Sequence, residues 1–105
     1  MNISLEADFT THLRDSIQEC RKLGYSPTEF ERMLNTWGGL AAAKRLLVSS
    51  TKEGQTGFQR VMKLNRRELT VEYAVLLDRF RDLFSPEELK LAQWRLDNPQ
   101  WAEGL

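Results

Sequence analysis

The chain has 105 residues, 41% hydrophobic and 29% charged, with a formal net charge of zero. That composition fits one domain large enough to bury a core and excludes a disordered acidic tail. No run approaches the roughly 18 apolar residues of a membrane span, the N-terminal stretch lacks the apolar segment of a secretory leader, and the lone Cys20 leaves no internal disulfide, so a cytoplasmic protein without membrane contact is expected.

In chain order, the first predicted helix runs from about Leu5 to Leu23. Its apolar stripe, Phe9, Leu13, Ile17 and Cys20, extended by Leu23, recurs at helical spacing and gives one buried face. Gly24 supplies the residue able to take positive φ past a helix end. Ser26, Pro27 and Glu29 then read as N-cap, first helical residue and third helical residue of a capping box, with Tyr25 and Phe30 as its hydrophobic staple. This second helix carries Met33, Leu34 and Trp37, the last read as core, and stops at Gly38-Gly39.

A third helix, rich in alanine and leucine, spans about Leu40 to Val48 and fades into Ser49-Ser50-Thr51. Lys52 to Gly57 is polar with two glycines and reads as a mobile loop. Thr56 with Gln59 would cap a short fourth helix, Gly57 to about Leu64, burying Phe58, Val61 and Met62. Thr70 begins a fifth, to about Asp82, apolar almost all round and the candidate central helix. A buried strand over residues 70–77 is the competing reading by β-propensity, with no second strand to pair it. Phe84-Ser85-Pro86-Glu87-Glu88-Leu89 repeats the cap-and-staple pattern and starts a sixth helix, to about Leu96, stopped at Asp97-Asn98-Pro99. Trp101 and Leu105 sit in a tail that either docks or frays. The fold expected is an all-α single domain over 1–105, a compact bundle of about five to six short helices.

No catalytic pattern emerges. His12 and Cys20 stand eight residues apart on one helix, roughly 12 Å along its axis at about 1.5 Å per residue, beyond hydrogen-bond reach. They are too few ligands for a structural zinc site, and Cys20 reads as a buried, inert thiol. Gly54-Gln55-Thr56-Gly57 lacks the spacing and lysine of a phosphate-binding loop. Gly38-Gly39 follows no strand and lacks the third glycine of a dinucleotide fingerprint. Glu87 and Glu88 are explained as first-turn carboxylates. The expectation is no catalytic residue, no cofactor and no metal.

Three features remain as binding signals. The charge is patterned: residues 1–43 balance to −2, residues 44–67 to +6 and residues 68–105 to −4. The helix–GlyGly–helix unit over 27–48 has the outline of a helix-turn-helix, whose second helix would offer Lys44 and Arg45 to nucleic acid. Arg60, Lys63 and Arg67 recur at one-face helical spacing, with Arg66 and Lys52 as additions, in the manner of a phosphate-gripping stripe. Against that, the acidic ends are positioned to neutralise the stripe within the fold, and no aromatics are interleaved with it for base stacking. Trp94 and Trp101 flank a proline stop as candidate anchors for a protein partner.

The run Tyr25-Ser26-Pro27-Thr28-Glu29-Phe30, Met33, the stretch Gly38 to Leu47, Gly57-Phe58, Leu69 to Glu72 with Val75-Leu76, and Leu83 to Leu89 with Ala92 and Arg95-Leu96 together resemble a small helical module. The module is found in many bacterial hypothetical proteins, alone or as a C-terminal appendage, sometimes in genes resembling phage-defence or mobile-element loci. The resemblance covers residues 23–96, leaving the N-terminal helix 1–22 and the tail 97–105 outside. It implies bacterial origin and a non-catalytic accessory role, and it brings no functional residues to carry over. The expected function is a non-enzymatic, protein-binding module, homo-oligomerisation included. Nucleic-acid binding through Lys44, Arg45, Arg60, Lys63, Arg66 and Arg67 is the alternative.

Overall fold

The computed structural model describes the backbone of residues 2–48 and 52–103, and the side chains of residues 5–48 and 55–102. Among the described residues the chain is helical without a strand, so the buried-strand reading of 70–77 does not hold. In order come α1 (Asn2–Lys22), α2 (Thr28–Val48), α3 (Lys52–Lys63), α4 (Val71–Leu76) and α5 (Pro86–Asp97), with 3₁₀ turns at Arg67–Leu69, Asp78–Leu83 and Pro99–Glu103. The radius of gyration, 12.6 Å, is that of a close-packed chain of this length.

The stripe of α1 faces inward as its spacing requires: Phe9, Leu13, Ile17 and Cys20 are buried. Leu23 does not extend it. It sits in the turn after the helix and is exposed. That turn is a Schellman motif: Gly24 has φ +93°, its N–H reaches Arg21 O and the Tyr25 N–H reaches Cys20 O. The predicted capping box at Ser26 does not form. Thr28 N–H is taken by Ser26 O, and the first helical bond runs from Glu31 N to Pro27 O. Pro27 therefore occupies the cap position, one residue later than predicted, and Glu29 pairs with Arg32 instead.

The predicted stop at Gly38-Gly39 is a kink within α2, where Gly38 takes φ 83°, ψ 167°. Beyond it Ala42, Ala43 and Leu47 are buried, while Trp37, read from the sequence as core, is left outside, 45% exposed. The predicted end of the third helix at 49–51 lies outside the described residues. The predicted loop at 52–57 is helical, the first turns of α3. One face of α3 carries Phe58 and Val61 into the interior, and that burial overrides the weak propensity of its glycines.

Thr70 caps α4 as expected, its hydroxyl accepting from Tyr73 N at 3.1 Å. The helix is much shorter than predicted: Leu77 turns extended (φ −63°, ψ 134°) and a 3₁₀ segment follows. The break carries Phe80 and then Phe84 onto Phe9, with centroids 5.1 Å and 5.4 Å apart in edge-to-face geometry. Such pairs add about 0.5–1.5 kcal/mol each beyond burial. At α5 the predicted box is complete: Ser85 Oγ accepts from Glu88 N at 3.2 Å, and the Glu88 carboxylate accepts from Ser85 N at 2.8 Å. Ser85→Ala is expected to cost about 1 kcal/mol. Ser26→Ala is expected to change the melting temperature little, and calorimetric melting of the two variants checks the contrast.

Two apolar clusters result. The main core joins α1, α2, α4 and α5 around Phe9, Leu34, Leu47, Val75 and Phe80. A smaller one, Phe58, Leu96, Trp101 and Ala102, ties α3 to the 3₁₀ turn Pro99–Glu103. The tail thus docks through Trp101, and Leu105 lies outside the described residues.

Candidate functional site

The two clusters do not close on each other completely. Between α1, the start of α2, α3 and the start of α4 lies a cleft of about 560 Å³, walled by Leu13, Ile17, Phe30, Met33, Phe58 and Val61. Ligand pockets typically run about 300–1,000 Å³. It is an open cleft and not a sealed void, so solvent or a ligand can enter it. Polar side chains share the lining with the apolar ones, among them Ser16, Tyr25, Thr28, Thr56 and Arg60, while the Thr70 hydroxyl is already spent on Arg67 O and Tyr73 N. Cys20 stands on the wall, and burial pushes its thiol up, away from the reactive thiolate. Tyr25 is likewise pushed up by burial.

Behind the cleft lies a buried ionic node that the sequence reading did not single out. Arg95 donates to Glu72 at 3.2 Å, to Leu46 O at 3.1 Å and to Leu47 O at 2.9 Å. Its guanidinium lies 4.3 Å over the Trp101 ring. Arg95 thus caps the carbonyl end of α2 and neutralises Glu72 in one place. Burial pushes the Glu72 carboxyl up, and Arg95 pulls it back. The signal was in the sequence: a lone acid inside the apolar run 71–77, and a lone base between Trp94 and Leu96.

The basic residues do not converge as one stripe. Helix α3 ends at Lys63, and Asn65 at φ 60° turns the chain, so Arg67 leaves the face of Arg60 and Lys63. Acidic residues from both ends lie among them. Lys44 pairs with Glu88 at 2.8 Å, and Arg66 with Glu68 and, at 4.0 Å, Glu19. Three of the arginines lie against aromatic rings instead: Arg45 over Trp37 at 4.1 Å, Arg60 over Tyr25 at 5.7 Å and Arg67 over Tyr73 at 6.0 Å. In the helix-turn-helix outline, α5 covers the second helix through Lys44 and Arg95, which leaves Arg45 and Val48 as its exposed side chains. The Lys52 side chain lies outside the described residues.

Of the predicted anchors, Trp94 is 52% exposed but Trp101 is 8% exposed, packed between Phe58 and Arg95. Trp101 is therefore core, and Trp37 takes its place on the surface. Trp37, with Arg45 stacked on its ring, borders a second, shallower hollow of about 310 Å³ that Thr10, Gly38, Leu40 and Lys44 also line. Trp37 stands directly before the Gly38 kink, on the surface.

His12 packs against Phe80, ring centroids 5.6 Å apart, and burial lowers its pKa. Among the described residues no group of acid, histidine and cysteine side chains is placed to hold a metal, and no helix is long and apolar enough to cross a membrane. No family model, curated protein or solved structure matches this chain.

Proposed function

We propose that this chain is a non-enzymatic binding module that docks a partner protein, with Trp37 and Arg45 at the centre of the contact. The supporting observation is the exposed Trp37–Arg45 stack at the edge of a hollow. Tryptophan and arginine are the residue types most enriched among binding hot spots, and a hollow beside them gives a partner side chain a seat. Trp94 is a second exposed anchor. The resemblance of residues 23–96 to a bacterial helical module supports an accessory role in a bacterial defence or mobile-element system.

The test is affinity capture from the native host with the intact chain and with Trp37→Ala and Arg45→Ala. The expected result is one protein retained by the wild type and lost by both variants, with Trp37→Ala weakening the purified complex about 30-fold or more. Both side chains are exposed, so the variants keep their fold. Recovery of no specific protein, or equal recovery by the variants, overturns the reading.

Nucleic-acid binding is the second reading. Arg45, Arg60, Lys63 and Arg67 have no carboxylate partner among the described ion pairs. It is the weaker one, because Lys44 and Arg66 are already paired. It requires retention in a low-salt gel shift that falls steeply with added salt.

A further inference from the structure

We propose that the cleft between α1, α2, α3 and α4 binds a free amphiphilic carboxylate, its apolar body between Ile17, Phe30, Phe58 and Val61 and its acid group at the mouth against Arg60. This site is separate from the Trp37 surface and does not depend on the reading given to it.

The size and lining call for an apolar body. An enclosed apolar cavity of about 150 Å³ accommodates benzene; this cleft is open and partly polar, and its volume of about 560 Å³ leaves room for a longer chain or ring system along its apolar wall. The charge at the mouth selects the head group. Arg60 is exposed, lines the cleft and has no carboxylate partner among the described ion pairs. The two acids that also line the cleft are held by other cations: Glu29 by Arg32, and Glu72 by Arg95. The uncompensated charge at the opening is thus positive. Arg60 lies 5.7 Å over the Tyr25 ring, and the Tyr25 hydroxyl rests beside Gly57, where an added Cβ would stand 3.5 Å away. A guanidinium and a phenol hydroxyl therefore flank one mouth, two donors for one carboxylate.

The experiment titrates the intact chain with decanoate, decanol and decylamine at submicellar concentrations, followed by calorimetry and by methyl chemical shifts. Decanoate is expected to bind about tenfold more tightly than decanol, the contribution of one charge-assisted hydrogen bond at a part-exposed mouth, and decylamine the most weakly. Arg60→Gln is expected to erase the preference for decanoate while leaving decanol binding intact. Thr56→Trp, a change at an exposed position on the cleft rim, is expected to weaken all three. In the wild type the Ile17 and Val61 methyls should shift, while those of Leu47 and Val75 in the main core stay. That mapping needs no variant to fold. Equal affinity for the three probes, a preference for the amine, no binding, or shifts confined to residues outside the cleft overturns the proposal.

Discussion

Arg95→Met is expected to destabilise the fold by about 3–5 kcal/mol, a large share of the roughly 5–15 kcal/mol that holds a domain together. The substitution keeps a flexible apolar stem against Trp101 but removes every donor that Arg95 supplies. Leu46 O and Leu47 O at the end of α2 lose their partner, and Glu72 is left as a buried carboxyl without its cation. The two losses separate by pH. Burial already raises the Glu72 pKa, and removing Arg95, which opposes that, raises it further. A carboxyl whose pKa is raised on folding supports the fold below its unfolded-state pKa, about 4.3, and that support is lost as pH rises through the folded-state value. The penalty of Arg95→Met should therefore be larger at pH 8 than at pH 5. The remainder, from the two carbonyls, should not depend on pH. His12, whose pKa is lowered by burial, favours the fold above its unfolded-state pKa and loses that contribution in acid; the effect is common to wild type and variant and cancels in the difference. Urea melts at the two pH values measure the penalty. Adding Glu72→Gln to Arg95→Met should recover part of it at pH 8, and a pH-independent penalty that Glu72→Gln leaves untouched would show that the ion pair carries none of it.

That node illustrates where sequence reading reaches and where it stops. Signals confined to a few neighbouring residues were legible: the Ser85 box, the Thr70 cap and the Gly24 turn each satisfy backbone groups within one turn of chain. The Ser26 box, with the same Ser-Pro-x-Glu spacing, does not form: the helix starts one residue later, Ser26 O accepts from Thr28 N, and the Glu29 carboxylate pairs with Arg32. The end of α4 was illegible because an apolar run carries no stop signal; the stop serves Phe80 and Phe84, which reach back to Phe9 on α1. The cleft was illegible for a related reason. Leu13, Ile17, Phe58 and Val61 were all recognisable as inward-facing residues, but a stripe that meets a partner and a stripe that walls a cleft have the same spacing. The charge pattern was legible as composition only. Which base meets which acid is decided by contacts 44 residues apart, as between Lys44 and Glu88.

The glycine pair in α2 was read as a single helix stop, yet its members answer to different constraints. Gly38 has φ 83°, ψ 167°, and an added Cβ there meets nothing within 4 Å. Its constraint is purely conformational, in a region that belongs to glycine. Gly39 is a contact residue. An added Cβ would lie 2.6 Å from Thr10 Oγ1 and 2.8 Å from Thr10 Cα, so the backbones of α1 and α2 would have to part. The bond from Gly39 N to Thr10 Oγ1, 3.0 Å long, would go with them. Overpacking of this kind costs about 1–3 kcal/mol and the lost hydrogen bond about 1 more, so Gly39→Ala is expected to lose about 2–4 kcal/mol. At about 4–8 °C per kcal/mol, the melting temperature should fall by more than 8 °C. Gly38→Ala is expected to cost about 1–3 kcal/mol for a different reason. Chirality tells the two apart. In chemically assembled protein, D-alanine at position 38 accepts the positive φ and should restore most of the lost stability. Thr10→Ala relieves Gly39→Ala only in part, because the clash with Thr10 Cα remains. Should D-alanine at 38 prove as damaging as L-alanine, the kink would be held by packing against its side-chain position and not by backbone conformation.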